Sequence, residues 1–217
     1  NVRGEDRRFI HAVGANLAFT SADLDAVLEP PPRVLAIGYF LILPELDAPG
    51  LAARFAAART RGTWTVLDVA IPGPGNYLDP LRVVLPHTDV FLPNTDEAAL
   101  ILGETDPVRQ ARAFHDLGAR RVVVTRGSQG AVAVSDALKL RLGTYPVAFV
   151  DGTGGGDAFV AGYIAGLLDD LPELDCLKLA SAVGASCVRA VGASAGVFTR
   201  PDADAFIARH ELMIESL

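Results

Sequence analysis

An α/β fold, with a mostly parallel central sheet and helices on both faces, is what this sequence predicts. Three observations point there. Short β-branched runs alternate with Ala- and Leu-rich helical stretches along the chain. Ala, Val, Leu and Gly are abundant while aromatics make up 7% of residues, which suits helices lying close against a buried sheet. The 217 residues, half of them hydrophobic, are enough to bury one substantial core in a single domain.

In chain order, Val34 to Ile37 reads as a buried strand, followed by an Ala-rich helix from Leu51 to Arg61 that stops at Gly62. Thr63 to Val69 is the next strand. A Pro/Gly loop from Pro72 to Asn76 leads to a short helix and then to the strand Val90 to Leu92. Pro93 ends that strand, and Asn94 is a good residue to cap the following helix. Ala111 to Leu117 reads as helix and Arg121 to Thr125 as a β-branched strand. Gly127 and Gly130 turn the chain into Ala131 to Ser135, and Lys139 to Leu142 and Val147 to Val150 complete the strands. Three helices are expected beyond, over Asp157 to Leu168, Leu174 to Val191 and Asp202 to His210. In such sheets ligands gather beyond the carboxyl ends of the strands, so the loops after Leu92, Thr125 and Val150 are expected to converge.

Composition removes several function classes. The net charge is −7 with no block of Lys and Arg, a poor match to nucleic acid or an acidic membrane surface. Cys176 and Cys187 lack the spacing of a zinc site or a redox pair, and the four histidines are scattered. No segment reads as a membrane span or a signal peptide, so a soluble, cytoplasmic protein is expected.

The sharpest local signal is Val150-Asp151-Gly152-Thr153-Gly154-Gly155-Gly156-Asp157. A strand runs into three consecutive glycines and then into a helix. Bare glycine backbone can turn tightly and offer N–H groups to an anion, and the helix start adds partial positive charge. Asp157 then sits in the first helical turn, beside that anion. The arrangement suits phosphoryl transfer to an alcohol: the loop's N–H groups stabilise the transferring group, and Asp157 accepts the hydroxyl proton. A dinucleotide fingerprint fits poorly, because Asp157 falls where its third glycine belongs, and the Gly-Lys-Ser/Thr ending of a Walker loop is missing. The plainer alternative is a tight turn with Asp157 as a helix-capping acid.

Asp151 to Ile164 resembles the second signature of the PfkB, or ribokinase-like, carbohydrate kinases, with Ala161 and Gly162 as its pair of small residues. The resemblance implies an anion hole from Gly154, Gly155, Gly156 and Asp157, with Asp157 as base. Gly152 departs from the family's usual Thr, Ser, Pro or Val. Asn94-Thr95-Asp96-Glu97 resembles the family's Asn-x-x-Glu motif, which implies that Asn94 and Glu97 organise Mg²⁺, through water, and the ATP phosphates. An ordinary capping box is the alternative for the same residues. Thr125-Arg126-Gly127-Ser128-Gln129-Gly130 is similar to the family's strand and turn beside the nucleotide, implying contacts from Thr125, Gly127, Ser128 and Gly130.

The resemblance further implies that Ser181 faces the adenine. It implies a monovalent-cation site, such as one for K⁺, formed by Asp151, Thr153, Ala190 and Gly192. Ser181 replaces a more usual Asn, and Gly196 stands where a serine ligand is common. His11 is similar in place to a substrate contact in some relatives, with an exposed strand histidine as the alternative. The expected activity is transfer of the γ-phosphoryl group of ATP to a sugar or a related small molecule, with Asp157 as base. A non-catalytic nucleotide- or sugar-binding relative is the second reading, and a nicotinamide-dependent oxidoreductase is disfavoured by the loop. Family members usually begin with a strand carrying a substrate-binding Asp, a Gly-Gly-x-x-x-Asn segment and a β lid. None of these precedes Phe9 to Asn16. A single ribokinase-like domain over 1–217 is therefore expected, either truncated or part of a longer protein. If the front is truly absent, an apolar sheet edge would be left uncovered, inviting aggregation or a partner, and a homodimer is among the expected assemblies.

Overall fold

The computed structural model describes residues 12–73 and 75–217. Among the described residues, seven strands form one sheet in sequential order: β1 Val34–Ile37, β2 Trp64–Leu67, β3 Val90–Phe91, β4 Arg121–Thr125, β5 Ala131–Ser135, β6 Lys139–Leu142 and β7 Ile214–Ser216. The first four run parallel, with Val34 opposite Trp64, Val66 opposite Val90 and Val90 opposite Arg121. The later pairings are antiparallel, so β5 and β7 run against the other five strands. The helices are α1 Ala48–Thr60, α2 Leu78–Val84, α3 Thr95–Leu102, α4 Pro107–Asp116, α5 Gly155–Leu168, α6 Glu173–Cys187 and α7 Arg200–Ile207.

Each parallel strand is added on the same side of the one before it, and right-handed crossovers then put α1 to α4 on one face. Packing agrees. Leu35, Leu67, Phe91, Val122 and Val124 share a core with Leu51, Phe55, Leu81 and Phe114 of those helices. The alternate strand positions Val66, Val90 and Val123 point the other way, against Phe159 and Tyr163 of α5 and Leu177 of α6. This period of two, buried on both sides, is why the strands read as continuous apolar runs. α5 and α6 lie close enough that a Cβ at Gly162 would stand 2.8 Å from Ala180 Cα. The smallness of Gly162 therefore serves this helix crossing.

Element boundaries shift where side chains or loops intervene. Asp47 caps α1 by accepting from Gly50 N, so the helix starts before Leu51. Pro107 follows the cap Asp106, and α4 accordingly begins before Ala111. Thr199 likewise caps α7, which spans Arg200–Ile207 in place of 202–210. Val147 to Val150 does not form the expected strand. Its backbone is drawn away, with Val150 N and Asp151 N both donating to Val188 O. The same contact explains why α6 ends at Cys187 and not at Val191: Val188 O serves the glycine loop and no longer the helix. β7, which had no sequence signal, pairs with β6 through Leu142 and Ile214. Among the described residues, no helix is long and apolar enough to cross a membrane.

Candidate active site

Four consecutive parallel strands each deliver a residue at their carboxyl end, as the topology requires of a ligand site. Tyr39 follows β1, Asp68 follows β2, Asn94 follows β3, and Thr125 ends β4. The start of α5 reaches the same rim from the opposite face of the sheet and brings Asp157.

The α3 end of the site is a complete capping box. Asn94 Oδ1 accepts from Asp96 N and Glu97 N, each at 2.9 Å, and Glu97 Oε2 accepts from Asn94 N at 2.9 Å. The capping alternative is thus realised in the backbone, and it also fixes the Glu97 carboxyl group at the rim. Asn94 forms a parallel bridge with Thr125, and Thr125 N donates to Pro93 O at 2.9 Å, so these two motifs are side by side. Beyond them Gly127–Gln129 forms a single 3₁₀ turn with Ser128 exposed. Gly130 is constrained from the protein side: a Cβ there would lie 2.0 Å from Leu142 O. Its missing side chain answers to β6.

At α5 the glycines divide their work. Gly154 is the N-cap, with φ 77°, and a Cβ there would stand 2.7 Å from Ala193 Cα. Neither its conformation nor its surroundings admit another residue. Gly156 differs, since a Cβ on it would meet no protein atom within 4 Å. The first-turn N–H groups of Gly156 and Asp157 have no carbonyl four residues back within the helix. Asp157 itself is exposed and accepts a 2.7 Å hydrogen bond from the Tyr39 phenol.

The glycine loop is tied to the segment after α6. Asp151 Oδ1 accepts from Thr153 N at 3.0 Å and Thr153 Oγ1 at 2.8 Å, while Oδ2 accepts from Gly192 N at 3.0 Å. Asp151, Thr153 and Gly192 are therefore neighbours, with Ala190 two residues from Gly192. The Cys187 thiol donates to Thr153 O and Ala193 O beneath the turn. Ser181 is buried on α6. His11 lies outside the described residues.

Two residues of this rim carry no sequence motif. Tyr39 is one and Asp68 the other. Burial pushes the Asp68 carboxyl up to about 7, and the charges of Glu97 and Asp157 add to it. Burial likewise pushes Glu97 up to about 7 against the bonds it makes with Asn94, with Asp96 and Asp157 adding repulsion. Asp68 and Glu97 are hard oxygen donors whose charged forms are disfavoured here; among the described residues, no group of three or more His, Cys, Asp or Glu is placed to hold a metal ion. The signal for Asp68 was its place as the residue after a buried strand; reading that strand through Val69 hid it.

The family model described as pfkB family carbohydrate kinase matches residues 1–200. The chain belongs to the PfkB family. Over 132 residues it is 33% identical to an ATP-dependent 6-phosphofructokinase of Thermoanaerobacterium thermosaccharolyticum, covering 61% of this chain and 40% of that protein. A Staphylococcus aureus ribokinase is 25% identical over 203 residues, covering 91% of this chain and 64% of the relative. A candidate ribokinase II of Escherichia coli, solved in complex with ATP and Mg²⁺, superposes with a TM-score of 0.74 at 25% identity. That match covers 94% of this chain and 68% of the solved one. This PfkB chain thus spans about two-fifths to two-thirds of the length of these relatives, and its fold is the ribokinase fold.

Proposed function

We propose that this chain carries the ATP-binding and catalytic part of a kinase that moves the γ-phosphoryl group of ATP to a hydroxyl of a sugar or a related small molecule. The observation that carries this reading is Asp157. It is an exposed carboxylate in the first turn of α5, beside an open glycine backbone and within electrostatic reach of Asp68 and Glu97.

Each part has a role that its position supports. The N–H groups of the Gly154–Asp157 turn face the transferring phosphoryl group and hold its charge where it develops. Asp157 takes the proton of the acceptor hydroxyl as its oxygen bonds to phosphorus and the bond to the leaving ADP oxygen breaks. The gap over Gly156 is the room the phosphate needs to approach the backbone. Asn94, Thr125, Gly127 and Ser128 line the nucleotide's path along the rim, with Ser181 on the adenine side. Glu97 and Asp68 would hold Mg²⁺, directly or through water. When bound, Mg²⁺ neutralises phosphate charge as it builds on the leaving oxygen. The donor set fits: hard carboxylate oxygens whose ionisation is costly by themselves. A monovalent cation such as K⁺ would sit beside Asp151, Thr153, Ala190 and Gly192, where it would stiffen the loop pair that supports the anion turn.

The test is ADP formation from ATP and Mg²⁺ in the presence of free sugars, sugar phosphates, sugar acids and nucleosides. Turnover that needs one of these acceptors, and disappears in Asp157→Asn while ATP still binds, is the expected result. ATP binding with no turnover across the panel would leave a non-catalytic binding protein in its place.

A further inference from the structure

Tyr39 is the residue that neither its motif context nor the kinase reading above accounts for. Its φ of 60° and ψ of 29° place it in the left-handed region, an uncommon conformation for a bulky side chain, held only where surrounding structure imposes it. The neighbours supply that constraint. Phe40, one residue on, is 3% exposed in the core beneath the sheet end, and its N–H donates to Asp68 O at 3.2 Å. The reversal at Tyr39 lets the chain bury Phe40 while turning the phenol out over the start of α5. Tyr39 remains 45% exposed, so burial does not explain why a Tyr stands there. Its phenol instead donates to Asp157 Oδ1 at 2.7 Å, across 118 residues of sequence.

We propose that Tyr39 is a positioning residue for the catalytic base: it holds Oδ1 of Asp157 so that Oδ2 is the oxygen presented to the acceptor alcohol. This rests on the kinase reading of the same site. A carboxylate on an exposed side chain can rotate about its terminal torsion, which has a broad, two-fold profile. Pinning one oxygen with a charge-assisted hydrogen bond removes that freedom and fixes the direction from which a proton can be taken. A small, freely placed water gains most from an unpinned carboxylate. An alcohol held by its own binding contacts loses most. Tyr39 thereby favours transfer to the bound acceptor over hydrolysis of ATP.

The test uses Tyr39→Phe, Asp157→Asn and the double variant, with acceptor-dependent transfer and acceptor-free ATP hydrolysis measured separately. Tyr39→Phe is expected to lower kcat for transfer by about tenfold, the scale of one hydrogen bond to a charged group. KM for ATP should stay unchanged, and the share of ATP lost to hydrolysis should rise. Because Tyr39 acts through Asp157, Tyr39→Phe should bring no further loss in the Asp157→Asn background. An equal loss in both backgrounds, a loss confined to KM for ATP, or an unchanged hydrolysis share each overturns the proposal. If the wild-type protein gives no acceptor-dependent ADP at all, the kinase reading fails and this role with it. If wild-type turnover is present and Tyr39→Phe matches it, only the Tyr39 role fails. A melting temperature close to wild type shows that Tyr39→Phe has folded, as expected at an exposed position that keeps its ring.

Discussion

Two helix starts face each other across the rim of the sheet, and they treat their backbone N–H groups in opposite ways. α3 closes itself: Asn94 and Glu97 exchange hydrogen bonds, and the first-turn donors are spent on side chains of the same segment. α5 has no side-chain cap, because its N-cap is Gly154. Both begin after a loop leaving the sheet and both carry an acid at the third position. The difference teaches where an anion belongs. A self-capped start can offer its carboxyl group to a cation, while a bare start offers its backbone to a phosphate.

The largest effect expected from breaking this contrast is at α5. Asp157→Asn should lower kcat by about 10²–10⁴, the usual value of general-base help. The amide keeps the size and the first-turn position, so ATP affinity should change little, as equilibrium binding of a fluorescent ATP analogue would read. A parallel loss of ATP affinity would mean that Asp157 holds the nucleotide and not the proton.

Next comes Gly156→Ala, which separates the backbone's two duties. Because no protein atom lies within 4 Å of a Cβ there, the helix should accept alanine and gain about 0.5–1 kcal/mol of stability from the lost glycine entropy. The methyl group intrudes where the phosphate approaches, so ATP affinity should fall by about tenfold, or 1.4 kcal/mol. Stability and affinity moving in opposite directions is the signature to look for, by thermal melting and calorimetric titration. At α3 the pattern inverts. Asn94→Ala removes a cap and should cost about 1 kcal/mol of stability, with Mg²⁺ affinity weakened as Glu97 loses its anchor.

How much of this was legible beforehand follows the same contrast. Asn94, Glu97, Gly154 and Asp157 were readable because local rules govern them: a capping spacing, a glycine run, an acid in a first turn. The parallel order of β1 to β4 was readable because alternating strands and helices allow little else. Tyr39 and Asp68 carry no local rule. Each acquires its meaning from a partner far away in sequence, Asp157 for one and Glu97 for the other, and only the folded sheet brings them together. The missed strand β7 is of the same kind, since its three residues pair only because β6 offers a free edge. The expected strand at Val147 to Val150 failed for a related reason, its amides being claimed by Val188 O on a distant helix end. The close approach of Leu142 O to Gly130, which leaves no room for a side chain, likewise had no local signal.

The smallest effect, and the one that sharpens the contrast furthest, concerns pH. Asp68 and Glu97 stand at about 7 in the folded chain, against ordinary values of 3.8 and 4.5. Well below pH 3.8 both groups hold their protons whether the chain is folded or not, and neither penalises folding. As pH rises from about 4 to about 7 the unfolded chain releases these protons while the folded chain retains them, so the unfolded state gains and stability falls. Above about 7 the folded chain bears two buried charges and the loss is complete. Without Mg²⁺ the melting temperature should therefore decline between pH 5 and pH 8, and Asp68→Asn should flatten that decline. Mg²⁺ reverses it by favouring the charged carboxylates, so its stabilising effect should be larger at pH 8 than at pH 5.5, with protons released on binding. A melting temperature that stays level or rises over this range in the metal-free protein, unchanged by Asp68→Asn, would mean that these carboxyl groups ionise at no cost. The acidic rim would then be ordinary surface, with no bias toward a cation, and the division of labour between the two helix starts would lose its cationic half.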